Sequence, residues 1–298
     1  MKPAINRRQF LGGTAAALAL EADSAHAEAP CHPSSAPTER PKKSVMFTML
    51  PENLSLEARF RLARDIGFEG VEAPPVADES EAKVMRAAAE KAGLPIHSII
   101  YGGWEAPLSS SDPAVVARGL DSARHALQCA RWMGAEDILL VPAVVDARTR
   151  YVDAWERSRK NVHALIPAAE KLGVMICIEE VWNHFLLSPL EFAHYIDSFR
   201  HPLVQVYFDV GNVVIFGWPE DWIRTLGRRI RKVHLKDFKR ATYQFVPLLE
   251  GDVDWPEVRR AFAEVGYHGY LNTELPGGDE AYLRDVSARV DKILGTGD

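Results

Sequence analysis

Glu179, Asp209, His234 and Glu274 stand at the ends of four successive short apolar runs, at 174–178, 204–208, 230–235 and 269–273. Corresponding positions elsewhere in the chain hold Glu72, His97, Glu180, Lys236 and Asp237. A lone carboxylate at the end of such a run is usually a loop cap or an ion-pair partner. Three carboxylates and an imidazole brought to one point would repel one another unless a cation lay between them. A set rich in oxygen with one nitrogen suits Mn²⁺, Mg²⁺ or Co²⁺ better than a thiolate-bound structural zinc.

The elements that must hold these residues are legible from residue 44 onward. Short apolar runs at 45–50, 70–73, 96–100, 137–141, 174–178, 204–208, 230–235 and 269–273 read as strands. Between and after them lie amphipathic stretches at 54–66, 79–92, 113–133, 152–172, from 188, 220–226, 255–265 and 280–294, which read as helices. Gly67, Gly93, Gly134, Gly173 and Gly266 stop five of these, and Ser188-Pro189 opens one as cap and first-turn proline. Strands apolar on both faces and joined by helical crossovers make a parallel sheet covered by helices. Eight such units in one α/β domain over 43–298 predict a closed (β/α)₈ barrel, whose chemistry sits at the C-terminal ends of the strands. A doubly wound open sheet is the alternative, and it lacks the glycine-rich phosphate turn after its first strand.

At the strand ends the residues resemble a known family. Ile178-Glu179 before Val-Trp-Asn, Tyr-Phe-Asp209-Val-Gly-Asn, Val-His234-Leu-Lys-Asp and Leu-Asn-Thr-Glu274-Leu are similar to the xylose isomerase-like sugar isomerase and epimerase barrels. These include ketose 3-epimerases, hydroxypyruvate isomerases and L-xylulose-5-phosphate 3-epimerases. The resemblance covers about 45–295. It implies that Glu179, Asp209, His234 and Glu274 bind one divalent metal ion, and that Glu179 and Glu274 move the proton. Two positions depart from the pattern. Glu180 beside Glu179 leaves the fifth-strand ligand open by one residue, although the pleat turns only one inward. Asn212 stands where several relatives place a substrate-binding histidine.

The chemistry that follows is proton transfer beside a carbonyl. A divalent ion on the carbonyl and neighbouring hydroxyl oxygens stabilises an enediolate as a Lewis acid. One carboxylate removes the proton and its partner on the opposite face returns one. Return to the same carbon inverted epimerises the sugar; return to the next carbon isomerises it. His97, Asn212, Lys236 and Trp104 are the candidate substrate contacts, with Trp182 a further rim aromatic. A buried structural role for His97 and an ion pair between Lys236 and Asp237 are the competing readings. Lyase or deglycosylation chemistry on keto-sugars uses the same proton abstraction. A metal-holding accessory barrel without turnover is the non-enzymatic alternative.

Composition narrows the partners. The 298 residues are 47% hydrophobic and 26% charged with a formal net charge of −6, a globular profile that excludes fibrous and disordered readings. Without a basic block, nucleic acid and anionic membrane surfaces are poor partners. An endonuclease IV-like repair phosphodiesterase would also need more rim histidines than this chain supplies. Residues 1–27 read as an export signal of the twin-arginine type, with Arg7-Arg8-Gln9-Phe10-Leu11 and a small-residue run at Ala25-His26-Ala27. Its apolar stretch is too short to span a bilayer. Residues 28–42 form a proline-rich tether, and the expected location is periplasmic or secreted. The three cysteines, Cys31, Cys129 and Cys177, give no disulfide framework. A homo-oligomer is compatible with the sequence but not specified by it. The substrate expected is an unphosphorylated sugar, because Glu250, Asp252, Asp254, Asp279 and Glu280 flank the loops that would hold a phosphate, offset in part by Lys239 and Arg240.

Overall fold

The structure, a computed structural model, describes residues 40–297. The export signal and most of the tether lie outside the described residues. Seven strands come first: β1 (Lys42–Met46), β2 (Gly70–Ala73), β3 (Ile96–Gly102), β4 (Asp137–Leu140), β5 (Met175–Glu179), β6 (Val204–Asp209) and β7 (Ile230–Leu235). A short antiparallel pair, β8 (Asp237–Lys239) with β9 (Gln244–Val246), precedes β10 (Tyr270–Thr273). The ring runs β1, β10, β7, β6, β5, β4, β3, β2 and closes on itself, with every neighbouring pair parallel. This is the eight-stranded α/β barrel.

The crossovers are α1 (Leu56–Ile66), α2 (Glu79–Ala92), α3 (Pro113–Met133), α4 (Tyr151–His163), α5 (Ile166–Leu172), α6 (Pro189–Asp197), α7 (Pro219–Leu226), α8 (Trp255–Glu264) and α9 (Glu280–Leu294). Among the described residues, no helix is long and apolar enough to cross a membrane. Side chains that alternate with the inward set, among them Ile176, Ile178, Val206, Phe208, Val233 and Leu271, are fully buried or nearly so and form the core with the helices. The inward set is different. Lys232 and His234 on β7, Tyr207 and Asp209 on β6, Glu179 on β5 and Glu72 on β2 are polar and buried. Strands expected to be apolar on both faces are therefore apolar toward the helices and polar toward the barrel axis on this side of the ring.

Three boundaries differ from the sequence reading. The first strand lies at Lys42–Met46 rather than 45–50, and Phe47–Met49 forms a 3₁₀ turn. The fourth crossover is two helices, broken around Ala164-Leu165, because Pro167 enters the first turn of α5 and has no N–H to continue α4. The β8–β9 hairpin was not anticipated. Cys129 and Cys177 are buried and unpaired, as small core side chains.

Candidate active site and metal centre

Pairing register brings the site together. Asp209 lies opposite His234, and Glu179 opposite Tyr207 two residues before Asp209. One potential ligand atom from each of Glu179, Asp209, His234 and Glu274 lies within 4.8 Å of the others. Glu179, Asp209 and His234 are buried, and Glu274 is partly open to the mouth. The His234 imidazole is aimed by two sides of the site. Its Nδ1 stands 2.9 Å from Glu179 Oε1 and 2.8 Å from Glu274 Oε2. Its Nε2 is 2.8 Å from Glu72 Oε2, which also accepts a hydrogen bond from Asn272 Nδ2 at 2.8 Å.

With Nε2 donating to Glu72, release of the Nδ1 proton would leave a lone pair facing the three carboxylates, the tautomer a metal ligand requires. Glu72 is the functional residue that the sequence reading noted only as a strand end. Its partner His234 is distant in sequence and meets it only across the closed ring.

The fifth-strand ambiguity resolves in geometry. Glu179 points into the cluster, whereas Glu180 turns away and its Oε1 accepts from the Asp209 backbone N–H at 2.8 Å. Asp209 Oδ1 accepts from the N–H groups of Gly211 and Asn212, both at 2.8 Å, which aims its other oxygen at the cluster. That oxygen, Oδ2, accepts no aligned hydrogen bond although it is fully buried.

Lys236 does not pair with Asp237. Its Nζ lies 2.9 Å from Asp209 Oδ2 and 2.8 Å from Glu274 Oε2. Asp237 instead accepts from the N–H groups of Phe238, Leu249 and Val253 and from the Trp255 indole. His97 also departs from its expected place. It sits near the start of β3, buried, with Nε2 2.9 Å from Ser44 Oγ and its ring stacked on Tyr270 at 4.0 Å. It packs in the barrel floor and does not line the mouth. Asn212, Lys236 and Trp104 do line it, together with Trp182 and Phe245, around a cavity of about 500 Å³ that reaches Glu179 and Glu274. A larger groove on the outer helices, of about 710 Å³, contains none of these residues.

The electrostatics match the geometry. Burial by itself would lower the His234 pKa, but Glu274, Glu72 and Glu179 overcome it and hold the imidazole well above its ordinary value. Burial pushes Glu179 up to about 7 against the opposing pull of His234. Desolvation acts on the partly covered Glu274 as well, yet His234 and Lys236 hold its carboxyl below the ordinary range. The Lys236 ammonium is raised, because Asp209, Glu274 and Glu179 outweigh its burial. Around one point stand Glu72, Glu179, Asp209 and Glu274 against Lys236 and the imidazole, a negative excess in a buried setting. With oxygen donors dominant, one nitrogen and no thiolate in the set, the residues fit a hard or borderline divalent cation.

Known proteins share this fold. The profile of a family described as xylose isomerase-like TIM barrel matches residues 60–292. The L-ribulose-5-phosphate 3-epimerase UlaE of Salmonella typhi is 29% identical over 262 residues, covering 78% of this chain and 89% of that protein. The D-psicose 3-epimerase of Clostridium cellulolyticum H10, solved with D-tagatose, superposes with a TM-score of 0.72 at 19% identity, covering 86% of this chain and all (100%) of that one. The 3-keto-D-glucoside 4-epimerase of E. coli gives 0.74 at 15% identity, again over 86% of this chain and 100% of that one. At these identities the two solved structures show that the fold is shared.

Proposed function

We propose a function from one established premise: this chain belongs to the xylose isomerase-like TIM barrel family. The reading is a divalent-metal-dependent sugar isomerase or 3-epimerase that moves a proton on the carbon beside a carbonyl. The observation that carries it is the buried convergence of Glu179, Asp209, His234 and Glu274 at the foot of an open cavity. The epimerase names of the relatives agree with it. These four residues would hold one ion, Mn²⁺, Mg²⁺ or Co²⁺, which supplies Lewis-acid stabilisation of the negative charge that develops beside the leaving proton.

The chain's own groups do the rest. Glu179 and Glu274, on β5 and just past β10, stand two strands apart on either side of β6 and β7, so their carboxylates reach a bound sugar from different directions. One takes the proton and the other returns it. Lys236 holds Asp209 and Glu274 in place and offers an N–H to the developing oxyanion. The Asn212 side chain donates to Glu180 O at 3.0 Å, which fixes its amide at the cavity wall for a sugar hydroxyl. Trp104, Trp182 and Phe245 cover the mouth and limit water.

The substrate in this reading carries no phosphate, although the Salmonella relative's name does. Barrels of this class hold phosphate on the loops after the last two strands, at helix N-termini. Here Asp237 already accepts from the backbone N–H groups of Leu249 and Val253 in the first of those loops. Asp254 caps α8 through Glu257 N, and Asp279 caps α9 through Tyr282 N. The donors that would cradle a dianion thus serve the protein's own carboxylates. Arg240 donates to Val214 O and Gly217 O, so it too is engaged. Incubating the metal-loaded protein with unphosphorylated keto-sugars, free and glycosidic, and with their phosphate esters tests this. Conversion of an unphosphorylated keto-sugar to its epimer or isomer is expected, and a clear preference for an ester overturns the unphosphorylated substrate.

Export belongs to the same reading, resting on Arg7-Arg8 and Ala25-His26-Ala27. Replacing both arginines by lysine should retain the protein in the cytoplasm with its leader uncleaved; continued export of that variant would remove the twin-arginine assignment.

A further inference from the structure

The cavity has two unlike halves. Its charged and amide side chains, Glu179, Asn212, Lys236 and Glu274, come from one run of the ring, β5 through β7 and β10. The facing wall is built by Met46, Ile100, Leu139 and Trp104. The two hydroxyls on that side are Thr48 and Tyr101, and Tyr101 already donates to Gly119 O at 3.3 Å.

Aromatic groups stand on both sides of the mouth. In the ring β3 is diametrically opposite β7, so Trp104, just after β3, faces the hairpin that follows β7. On that hairpin Phe245 stacks on Trp182, with centroids 4.9 Å apart and planes at 24°. Trp104 is brought there by Gly102 and Gly103, whose φ values are +72° and +92°, a left-handed pair that only glycine adopts readily. A Cβ at Gly102 would lie 3.2 Å from the Trp104 ring, so the close turn and the indole position are built together. Trp104 remains 52% exposed and Phe245 44%, with large ring area still open to solvent.

A free hexose does not suit this shape. With its reacting carbons at the acidic half, its remaining hydroxyls would meet a wall mostly of Met46, Ile100 and Leu139, with hydroxyls only at Thr48 and Tyr101, and burying a hydroxyl without a partner is unfavourable. An aromatic ring makes no such demand and gains from stacking on indole and phenyl. We propose that the substrate is a keto-glycoside, a glycoside with a ketone on its sugar ring, that carries an aromatic aglycone, the sugar lying over Glu179 and Glu274 and the aglycone on the aromatic wall of Trp104 opposite Trp182 and Phe245. This deepens, and rests on, the sugar-site reading above.

Binding of unreactive glycosides separates the two. Phenyl β-D-glucopyranoside, methyl β-D-glucopyranoside and methyl β-cellobioside are full acetals with no carbonyl beside their C–H bonds, and are titrated calorimetrically into the full-length, Mn²⁺-loaded protein. The phenyl glycoside is expected to bind about tenfold more tightly than the methyl glycoside, the scale of one aromatic pair. Trp104→Ala should abolish that preference and Trp104→Phe should restore most of it. Equal binding of the phenyl and methyl glucosides overturns the proposal, as does a preference that survives Trp104→Ala or binding of methyl β-cellobioside as tight as that of the phenyl glucoside. None of these outcomes depends on turnover, so loss of the isomerase reading would show separately, in the sugar-conversion assay.

Discussion

Replacing Glu72 should weaken metal binding without touching any atom that would contact the ion. Its carboxylate is fully buried, 2.8 Å from His234 Nε2, and is held by Asn272 Nδ2 at 2.8 Å. Leucine at 72 removes both the acceptor and the charge, so the imidazole is free to protonate on Nδ1, the side that must face the ion. Loss of such a support costs about 10–100-fold in metal affinity, roughly 1.4–2.7 kcal/mol. Glu72→Leu is expected near the upper end. Glu72→Gln keeps an oxygen where Oε2 stands, able to accept from both His234 and Asn272, and loses only the charge. It should fall near the lower end. The assay is Mn²⁺ titration by calorimetry or chelator competition, with circular dichroism to confirm that the barrel is retained. Since the ligands must be deprotonated to bind, affinity in the wild type should also rise with pH as His234 gives up its proton. A Glu72→Leu protein that is folded and binds Mn²⁺ within twofold of wild type would refute the reasoning. Gln as harmful as Leu would show that charge, rather than orientation, is what Glu72 supplies.

Asp209→Ala and His234→Ala should each lose bound metal and turnover together, as read by elemental analysis and a sugar assay; full occupancy in both would remove the proposed centre. Lys236→Met should spare metal binding, since it deletes a cation that competes for Asp209 and Glu274, yet lower kcat about 10²-fold or more by removing a donor to the oxyanion; an unchanged kcat contradicts that role. Asp237→Ala leaves the Leu249 and Val253 amides and the Trp255 indole without their acceptor, at about 1–3 kcal/mol for each buried group left unpaired. A thermal midpoint lowered by several degrees is expected, and an unchanged one would mean that water replaces the carboxylate at no cost.

Much of the frame is readable because its punctuation is local. Gly67, Gly93, Gly134 and Gly173 all take positive φ as helix caps, and Ser188 accepts from Glu191 N as the cap of α6. Such signals depend only on neighbours within a turn. The four-residue cluster is equally visible, since a strand end in a closed barrel fixes both height and direction. What escapes depends on contacts far apart in sequence. His97 groups with the strand-end residues by its chemistry, yet it is the second residue of β3, which runs on to Gly102 and leaves His97 at the floor. Lys236 is adjacent to Asp237 in sequence, yet successive strand-like residues point to opposite faces, and its partners come from β6 and from beyond β10. The hairpin that carries Phe245 consists of two three-residue strands, too short to show a period. The α4–α5 break lies inside a continuous amphipathic pattern, where Pro167 near a first turn outweighs the periodicity.

The account stands most directly on whether this site moves a proton next to a carbonyl. Metal-loaded protein in D₂O, followed by proton NMR on a panel of free and glycosidic keto-sugars, should show loss of signal at the carbon beside the carbonyl for at least one of them. Glu179→Gln with metal retained should slow that exchange by about 10²-fold or more. Exchange that proceeds unchanged in both Glu179→Gln and Glu274→Gln, or no exchange into any keto-sugar by fully metal-loaded wild type, would contradict it.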